Sequence, residues 1–305
     1  MVFPCRQFVV IREKVVFMDF LITLVNGLSL GGIYAMIALG YTMVYGIAKM
    51  LNFAHGDIIM VGGYAILVFL SINPILAIIF SVIFCVLLGI LVEKAAYKPL
   101  RGASPLAVLI TAIGVSYFLQ SLAQIVFGAS PKYVIIAELG SVSIGGISIS
   151  VATIITLIAS LIIMTGLTLF VKYTKTGRAM LAVSEDKDAA RLMGVNVNNI
   201  IMITFAIGSA LAALAGLFSL LRVPTIMPTY GALPGIKAFT AAVIGGIGSI
   251  PGAMLGGILL GVVECISNSI PAVAPYTMAI EFAILIVILL VKPTGILGKK
   301  RREKV

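Results

Sequence analysis

The stretch PILAIIFSVIFCVLLGILV, residues 74–92, contains no charged side chain. The hydrocarbon core of a bilayer is about 30 Å thick, and a helix needs about 20 apolar residues to cross it. The stretch therefore predicts a membrane-spanning helix. Similar apolar runs follow one another along the chain, at about 20–45, 57–71, 105–127, 150–171, 199–221, 235–248, 252–270 and 275–291.

The composition extends this prediction to the whole chain. Of the 305 residues, 61% are hydrophobic and 10% are charged, and the mean hydropathy is +1.20. Soluble domains carry about 25% charged residues. Because unpaired backbone groups in lipid are costly, the sequence predicts an all-α, polytopic transmembrane helical bundle. The runs at 57–71 and 235–248 are short and rich in glycine, so they are expected to be re-entrant or broken, and the predicted count is eight or nine spans.

Basic residues predict the orientation of the bundle. They cluster at the ends of apolar runs, so the net charge of +10 is interpreted as a topology signal and not as a nucleic-acid surface. Three clusters predict cytoplasmic segments: Lys94, Lys98 and Arg101; Lys172, Lys175, Arg178, Lys187 and Arg191; and Lys299, Lys300, Arg301, Arg302 and Lys304. The number of runs between the clusters agrees, which places the C-terminus in the cytoplasm. It also places residues 128–150 outside, where short β-branched pieces with Gly and Ser predict a small hairpin.

The N-terminal residues conflict with this orientation. Three runs precede the first cytoplasmic segment and place the N-terminus outside, yet Arg6, Arg12 and Lys14 favour the cytoplasm. A translation start at Met18 removes the conflict, and residues 1–17 are then a non-native extension. The transmembrane domain is expected at 18–298, followed by a basic cytoplasmic tail at 299–305. The opening of the chain lacks the pattern of a signal peptide.

The loop 172–198 contains the most polar stretch between two apolar runs, GRAMLAVSEDKDAARLMGVN, residues 177–196. It predicts one surface helix of about three turns. The expected ends are Ser184 as N-cap, Glu185 and Asp186 in the first turn, Arg191 in the last turn and Gly194 as the terminator. Three carboxylates among a few cations suit a groove on a protein better than an anionic membrane surface. An ordinary solvated connector is the alternative interpretation.

The sequence contains no motif for catalysis or for ATP binding. The pattern G-x-x-x-x-G-K-[ST] is absent, so any ATPase has to be a separate subunit. Cys5, Cys85 and Cys265 lie far apart without the spacing of metal ligands and are expected to be reduced thiols. His55 is the only histidine, and no serine or cysteine nucleophile lies near it. No catalytic, cofactor-binding or metal site is predicted.

Polar residues near the apolar runs are candidates for a transport path. In LNFAHGD, residues 51–57, Asn52 or His55 is predicted to cap the following helix, and Asp57 suits its positive N-terminal end. The segment is either a polar helix breaker that fixes a bend or part of a path or gate. Further candidates for the path are Gln120, Gln124, Thr240, Tyr34 and Tyr41.

Two glutamates lie within apolar runs, where a charge costs roughly 2.5 to 3.5 kcal/mol near the bilayer centre. Glu264 and Glu281 are therefore expected to face protein or water. The favoured interpretation is that they pair with Arg222, Lys237 or Lys292. Binding of a proton or ion in a coupled carrier is the alternative, and Glu264 is also a candidate for the transport path.

Several motifs together resemble a known family. The stretch 177–196, followed by ITFAIGSALAALAG, residues 203–216, resembles the cytoplasmic coupling loop of permease subunits of ABC importers. Residues 26–65, residues 235–264 and the terminal LVKPTGILG, 290–298, resemble high-affinity branched-chain amino acid permeases, in order and over nearly the whole chain from Met18 onward. The short chain is similar to the smaller of two homologous permease subunits.

The resemblance implies a function and a set of partners. The chain would move leucine, isoleucine and valine inward across the cell membrane, and it would not itself be an enzyme. The implied partners are a second permease subunit, two ATPase subunits that bind ATP-Mg, an extracytoplasmic binding protein and membrane lipid, with no nucleic acid. The residues implied to contact the ATPase are Gly177, Arg178, Glu185, Asp188, Ala189, Ala190, Arg191 and Gly194. Urea or short amides are the alternative cargo, and an ion-coupled secondary carrier is the alternative mechanism.

Overall fold

A computed structural model describes residues 5–137, 139–144 and 147–298, with side chains from residue 18 onward except at 144 and 147. The predicted basic tail, 299–305, lies outside the described residues, as do the first four residues of the predicted extension. The helices are α1 (Cys5–Ala48), α2 (His55–Phe69), α3 (Pro74–Val92), α4 (Pro105–Phe127), α5 (Val151–Tyr173), α6 (Lys175–Glu185), α7 (Lys187–Leu192), α8 (Val197–Arg222), α9 (Ala232–Gly245), α10 (Ile250–Ser269) and α11 (Thr277–Val291). Short strands are β1 (Lys132–Tyr133), β2 (Ser141–Ile144), β3 (Ile147–Ser150) and β4 (Thr225–Ile226).

Local sequence explains where the apolar helices begin. Before α3, the Asn73 side chain accepts hydrogen bonds from the backbone of Ile75 and Leu76, at 2.8 and 3.4 Å. Pro74 occupies the first helical position, where its missing N–H costs nothing. Ser104 caps α4 in the same way, because its hydroxyl accepts from the Ala107 N–H at 3.3 Å.

The number of helices that are long enough to cross a bilayer is smaller than predicted. Among the described residues, seven helices have the necessary length and apolar composition, so the multi-pass helical bundle is confirmed, whereas eight or nine spans are not. The difference lies in α2 and α9, which have 15 and 14 residues. At 1.5 Å per residue they measure about 22 and 21 Å, which is less than the thickness of the hydrocarbon core.

The two short helices begin beside each other inside the bundle. A Cβ atom placed on Gly235 of α9 would lie 3.0 Å from the Cα of Gly56 in α2, and one on Gly231 would overlap the Gly56 carbonyl. The His55 ring packs against Gly40 of α1, about 12 Å before the end of that helix at 1.5 Å per residue. Both short helices therefore start at depth, as expected for broken segments.

From this common point, α2 and α9 run to opposite ends of the bundle. Near the end of α2, Tyr64 stacks on Phe127 at the end of α4, with ring centroids 4.3 Å apart. At the end of α9, the Ile244 and Gly245 carbonyls accept hydrogen bonds from the backbone of Ile296 and Leu297, at 2.8 and 2.9 Å. The chain therefore passes from one end of the bundle to the other through two consecutive parts, the connection between α8 and α9 and then α9 itself.

Two basic segments and the last described C-terminal residues lie at one end of the bundle, which we call the α6–α7 end. Arg101, in the connection between α3 and α4, donates a hydrogen bond to Asn198 at the start of α8. Lys187 of α7 donates to the Ala48 carbonyl at the end of α1. A Cβ on Gly46 of α1 would lie 3.5 Å from the Cα of Gly248, next to the described C-terminal residues. This relative placement agrees with the predicted parity.

Small residues let α1 and α10 pack backbone to backbone in the core. A Cβ on Gly31 would lie 2.6 Å from the Cα of Ile258, and one on Gly27 would lie 2.9 Å from the Cα of Val262. Cβ atoms on Gly257 and Gly261 would overlap the backbone of Ala35 and Gly31. Glycines four residues apart on both helices form a small-xxx-small interface of the kind that is common in membrane bundles.

The opposite end of the bundle carries the predicted hairpin. Strands β2 and β3 pair antiparallel, with Ser141 opposite Ser150 and Ile144 opposite Ile147. β1 pairs antiparallel with β4 and so joins the connections that follow α4 and α8. At the N-terminus, residues 5–17 continue the helix α1.

Candidate functional site: the α6–α7 segment and the buried polar groups

The polar segment between α5 and α8 forms two helices and not the single predicted one. Ser184 lies in the last turn of α6 and donates to the Leu181 carbonyl at 2.7 Å, so its assignment as an N-cap was wrong. Asp186 breaks the helix, and its carboxylate accepts from the Asp188 and Ala189 N–H groups, both at 3.0 Å. Asp186 is the N-cap in place of Ser184, because its charge also suits the positive end of a helix.

The end of the segment was predicted correctly. Arg191 lies in the last turn of α7, where a cation is favourable. Gly194 has φ of +84°, and its N–H donates to the Arg191 carbonyl at 2.9 Å. Glycine adopts this left-handed conformation without the cost that a side chain would add.

The proposed contact residues divide into exposed and buried groups. Exposed to solvent are Arg178, Glu185, Asp188, Ala189, Arg191 and Gly194. Gly177 and Ala190 are buried instead. A Cβ on Gly177 would overlap the Phe170 and Val171 carbonyls at the end of α5, so this glycine serves the packing of α6 on α5.

Two large apolar side chains complete the exposed surface. Leu192 is 91% exposed and Met193 is 72% exposed, although both belong to a segment that packs on the bundle. The surface of α7 thus combines an apolar tip with the ion pair between Arg191 and Asp188 at 3.4 Å. The residues implied by the family resemblance did not include this leucine or this methionine. A pair of apolar residues directly before a turn glycine could have identified them.

Lys187 connects this surface to the end of α1. Its ammonium donates to the Ala48 carbonyl at 2.9 Å, one of the carbonyls that a helix C-terminus leaves unpaired. Burial, together with the nearby charges of Arg101 and Arg191, lowers the pKa of Lys187. This hydrogen bond therefore links α7 to the end of α1, directly before the α1–α2 connection.

The polar residues of LNFAHGD are buried and have other partners than predicted. Ala54 is the N-cap of α2 and provides no side-chain cap, so neither Asn52 nor His55 caps this helix. Asn52 accepts a hydrogen bond from the Tyr97 hydroxyl at 2.8 Å. The His55 ring contacts the Tyr41 ring edge-on, with centroids 4.8 Å apart. The segment thus fixes the bend between α1 and α2.

Asp57 and Gln120, both candidates for the path, contact each other. The Gln120 amide donates to the Asp57 carboxylate at 2.9 Å, and also to the Ser116 hydroxyl at 3.2 Å. Asp57 lies in the first turn of α2, as predicted. Asp57 is only 2% exposed, while Gln120 is half-buried.

Glu264 belongs to a separate cluster. The Lys237 ammonium of α9 lies 2.8 Å from Glu264 Oε1 and 3.1 Å from Glu281 Oε1. The Tyr34 hydroxyl donates to Glu264 Oε2 at 2.7 Å. The predicted pairing with Lys237 is confirmed, while Arg222 and Lys292 bond to the backbone carbonyls of Asn26 and Ile296.

Replacement of Lys237 by methionine is expected to destabilise the bundle. Removing one partner of a buried ion pair costs about 3 to 5 kcal/mol, because the other charge is left without compensation. The check is the thermal unfolding midpoint of the purified chain in detergent. Lys175→Met, at an exposed position, is the control and should unfold like the wild type. Equal midpoints for the two variants would contradict the ion-pair assignment.

Comparison with known proteins assigns the chain to a family. The family model described as the permease component of the branched-chain amino acid transport system matches residues 23–289. The chain belongs to this family. It is 43% identical over 298 residues to the high-affinity branched-chain amino acid transport system permease protein BraD of Pseudomonas aeruginosa, covering 92% of this chain and 97% of the relative.

Further permeases are similar over most of their length. The high-affinity branched-chain amino acid transport system permease protein LivH of Escherichia coli K12 is 40% identical over 305 residues, which cover 95% of this chain and 99% of the relative. The probable branched-chain amino acid transport permease protein LivH of Methanocaldococcus jannaschii is 31% identical over 283 residues, covering 86% and 88%. The resemblance stated from the sequence motifs is thereby confirmed, and the bundle described above is that of a permease.

Proposed function

We propose that this chain is the membrane-spanning permease subunit of an ABC importer that moves branched-chain amino acids inward. The observation that carries the proposal is the family match over residues 23–289 together with the two bacterial relatives that align over almost their whole length. A path of mostly apolar side chains with scattered hydroxyl and amide groups suits a zwitterionic substrate with an apolar side chain, because it passes the substrate without trapping it.

The transport cycle needs an energy source outside this chain. ATP-Mg is hydrolysed on two separate ATPase subunits, which dock on the exposed residues of α6 and α7. Their closure moves α7, and Lys187 passes the movement to the end of α1. A homologous second permease subunit completes the path, and an extracytoplasmic binding protein delivers the substrate. The transmembrane domain spans 18–298, and the loop 172–198 makes the coupling contact.

The proposed cellular location is the cell membrane, with the α6–α7 end in the cytoplasm. Basic residues gather at this end, in the connections before α4 and before α8, as the positive-inside rule requires. The described C-terminal residues bond to the end of α9 at the same level. The tail 299–305 therefore continues on the cytoplasmic side.

The two alternative functions have weaker support. An ion-coupled carrier would use Glu264, Glu281 or Asp57, but the two glutamates are engaged with Lys237 and Asp57 is engaged with Gln120. A urea or amide permease shares the architecture, whereas the relatives named above are branched-chain amino acid permeases.

The proposal is tested by isolating the complex. The chain is tagged at its C-terminus and purified from gently solubilised native membranes, and its partners are identified by mass spectrometry. We expect a second permease and P-loop ATPases in the same eluate. In liposomes, the isolated complex should take up leucine only with ATP and the binding protein. A partner-free chain that transports leucine alone along an ion gradient would overturn the proposal.

A further inference from the structure

The fully buried residues of helix α11 are polar. They are Thr277 and Glu281, while Ile284, Leu285 and Ile288 are partly buried against the core. The Thr277 hydroxyl donates to the Asn268 side chain of α10 at 2.8 Å. Glu281 contacts Lys237 of α9. The contacts of Glu281 therefore add a polar attachment to the apolar packing of α11.

The oxygens of the two glutamates in this cluster have unequal partners. Both oxygens of Glu264 are satisfied by donors, Oε1 by Lys237 and Oε2 by the Tyr34 hydroxyl. Oε1 of Glu281 has Lys237 as its partner, but Oε2 is buried and has no hydrogen-bond partner. The side chain of Glu281 is 1% exposed, so water does not reach this oxygen. An ionised carboxylate with an unpaired buried oxygen is costly.

Of the two cations that face the cluster, only Lys237 is in ion-pair contact with its carboxyl groups. Facing the cluster are Tyr34 from α1, Arg222 from α8, Lys237 from α9, and Glu264 and Cys265 from α10. The Arg222 guanidinium donates a hydrogen bond to the Asn26 carbonyl at 3.3 Å. It forms no ion pair within 4.0 Å with any carboxylate in the described part of the chain. The Lys237 ammonium thus serves one oxygen of each of two neighbouring carboxyl groups, at 2.8 and 3.1 Å. Two carboxylates in such a site share a proton, because both cannot be ionised at low cost.

We propose that Glu281 carries a resident proton on Oε2 and donates it in a hydrogen bond to the Glu264 carboxylate. The donor satisfies the oxygen that otherwise lacks a partner, and the ion pair that remains within the cluster is the one between Lys237 and Glu264. Glu264 stays ionised, since it accepts from both Lys237 and Tyr34. The proton is thus a bound ligand that joins α11 to α9 and α10. The inference does not depend on the proposed transport function.

The test is infrared spectroscopy of the purified full-length chain at neutral pH. A protonated carboxyl group has a C=O stretching band that ionised carboxylates lack and that shifts in D₂O. We expect the wild type to show a band that disappears completely in Glu281→Gln. Asp19→Asn, which changes an exposed carboxyl group, is the matched control and should leave the band unchanged.

A second variant keeps the proposal testable if Glu281→Gln does not fold. In Glu264→Gln, Glu281 is the only carboxyl group next to Lys237, so it should ionise and the same band should disappear. The Glu281→Gln variant should itself fold, because the introduced amide retains the size of the protonated side chain and still offers a donor to Glu264. A wild-type spectrum in which neither glutamine variant removes a band would overturn the proposal.

Discussion

Replacement of Gly261 by leucine is expected to leave no folded protein in the membrane. A Cβ at this position overlaps the backbone nitrogen and Cα of Gly31, and backbone atoms cannot rotate away as a side chain can. Overpacking in an ordinary core costs about 1 to 3 kcal/mol. Here the whole α1–α10 interface must separate, so the loss should exceed this range and consume most of a typical stability of about 5 to 15 kcal/mol. The measurement is the amount of monodisperse chain after extraction, with its unfolding midpoint.

A matched control separates packing from the general effect of adding a large side chain. Gly166 of α5 is also helical and apolar in its surroundings, yet a Cβ on it would have no atom within 4 Å. Gly166→Leu should therefore fold and should even gain helix propensity, worth up to about 1 kcal/mol over glycine. If Gly261→Leu were as abundant and as stable as Gly166→Leu, the close approach of α1 and α10 would be refuted.

The sequence predicted the helices well where local chemistry decides them. Residues 74–92 form α3 with Asn73 and Pro74 at its start, and Gly194 ends α7 with a positive φ. The hairpin β2–β3 followed from its composition. The prediction of Ser184 as the N-cap was wrong because serine and aspartate lie close together and both can cap a helix. Which of them caps it depends on which turn packs on the neighbouring helices, as buried Val183 and Ala190 show.

Contacts between distant residues could not be assigned from the sequence. Tyr34 and Glu264 are 230 positions apart, and the partner of Asp57 lies 63 positions away. Asp57 and Gln120 contact each other, whereas Glu264 lies in the cluster with Lys237. Their role in a transport path stays a prediction. The two short runs were expected to be re-entrant or broken, but the count of eight or nine spans is not confirmed, because α2 and α9 have only 15 and 14 residues.

Leu192 carries the second prediction, which concerns transport. In Leu192→Asp, uptake of leucine by the reconstituted importer should fall below about a tenth of the wild type, since each 1.4 kcal/mol of lost docking energy is tenfold in affinity. A carboxylate buried against the ATPase without a partner costs several kcal/mol. The variant should keep its own fold, because the side chain is 91% exposed. Uptake per amount of inserted chain is the quantity to measure.

The control for Leu192→Asp introduces the same charge at the same end of the bundle. Asn199 is exposed in the first turn of α8, where an aspartate suits the helix dipole, so Asn199→Asp should transport normally. Glu185→Ala should lose uptake as well, if this exposed carboxylate contacts the ATPase. In the isolated complex, Leu192→Asp should release the ATPase subunits and retain the second permease. Normal uptake with a full complement of ATPase would show that α7 is a solvated connector, and the coupling contact would then have to lie elsewhere.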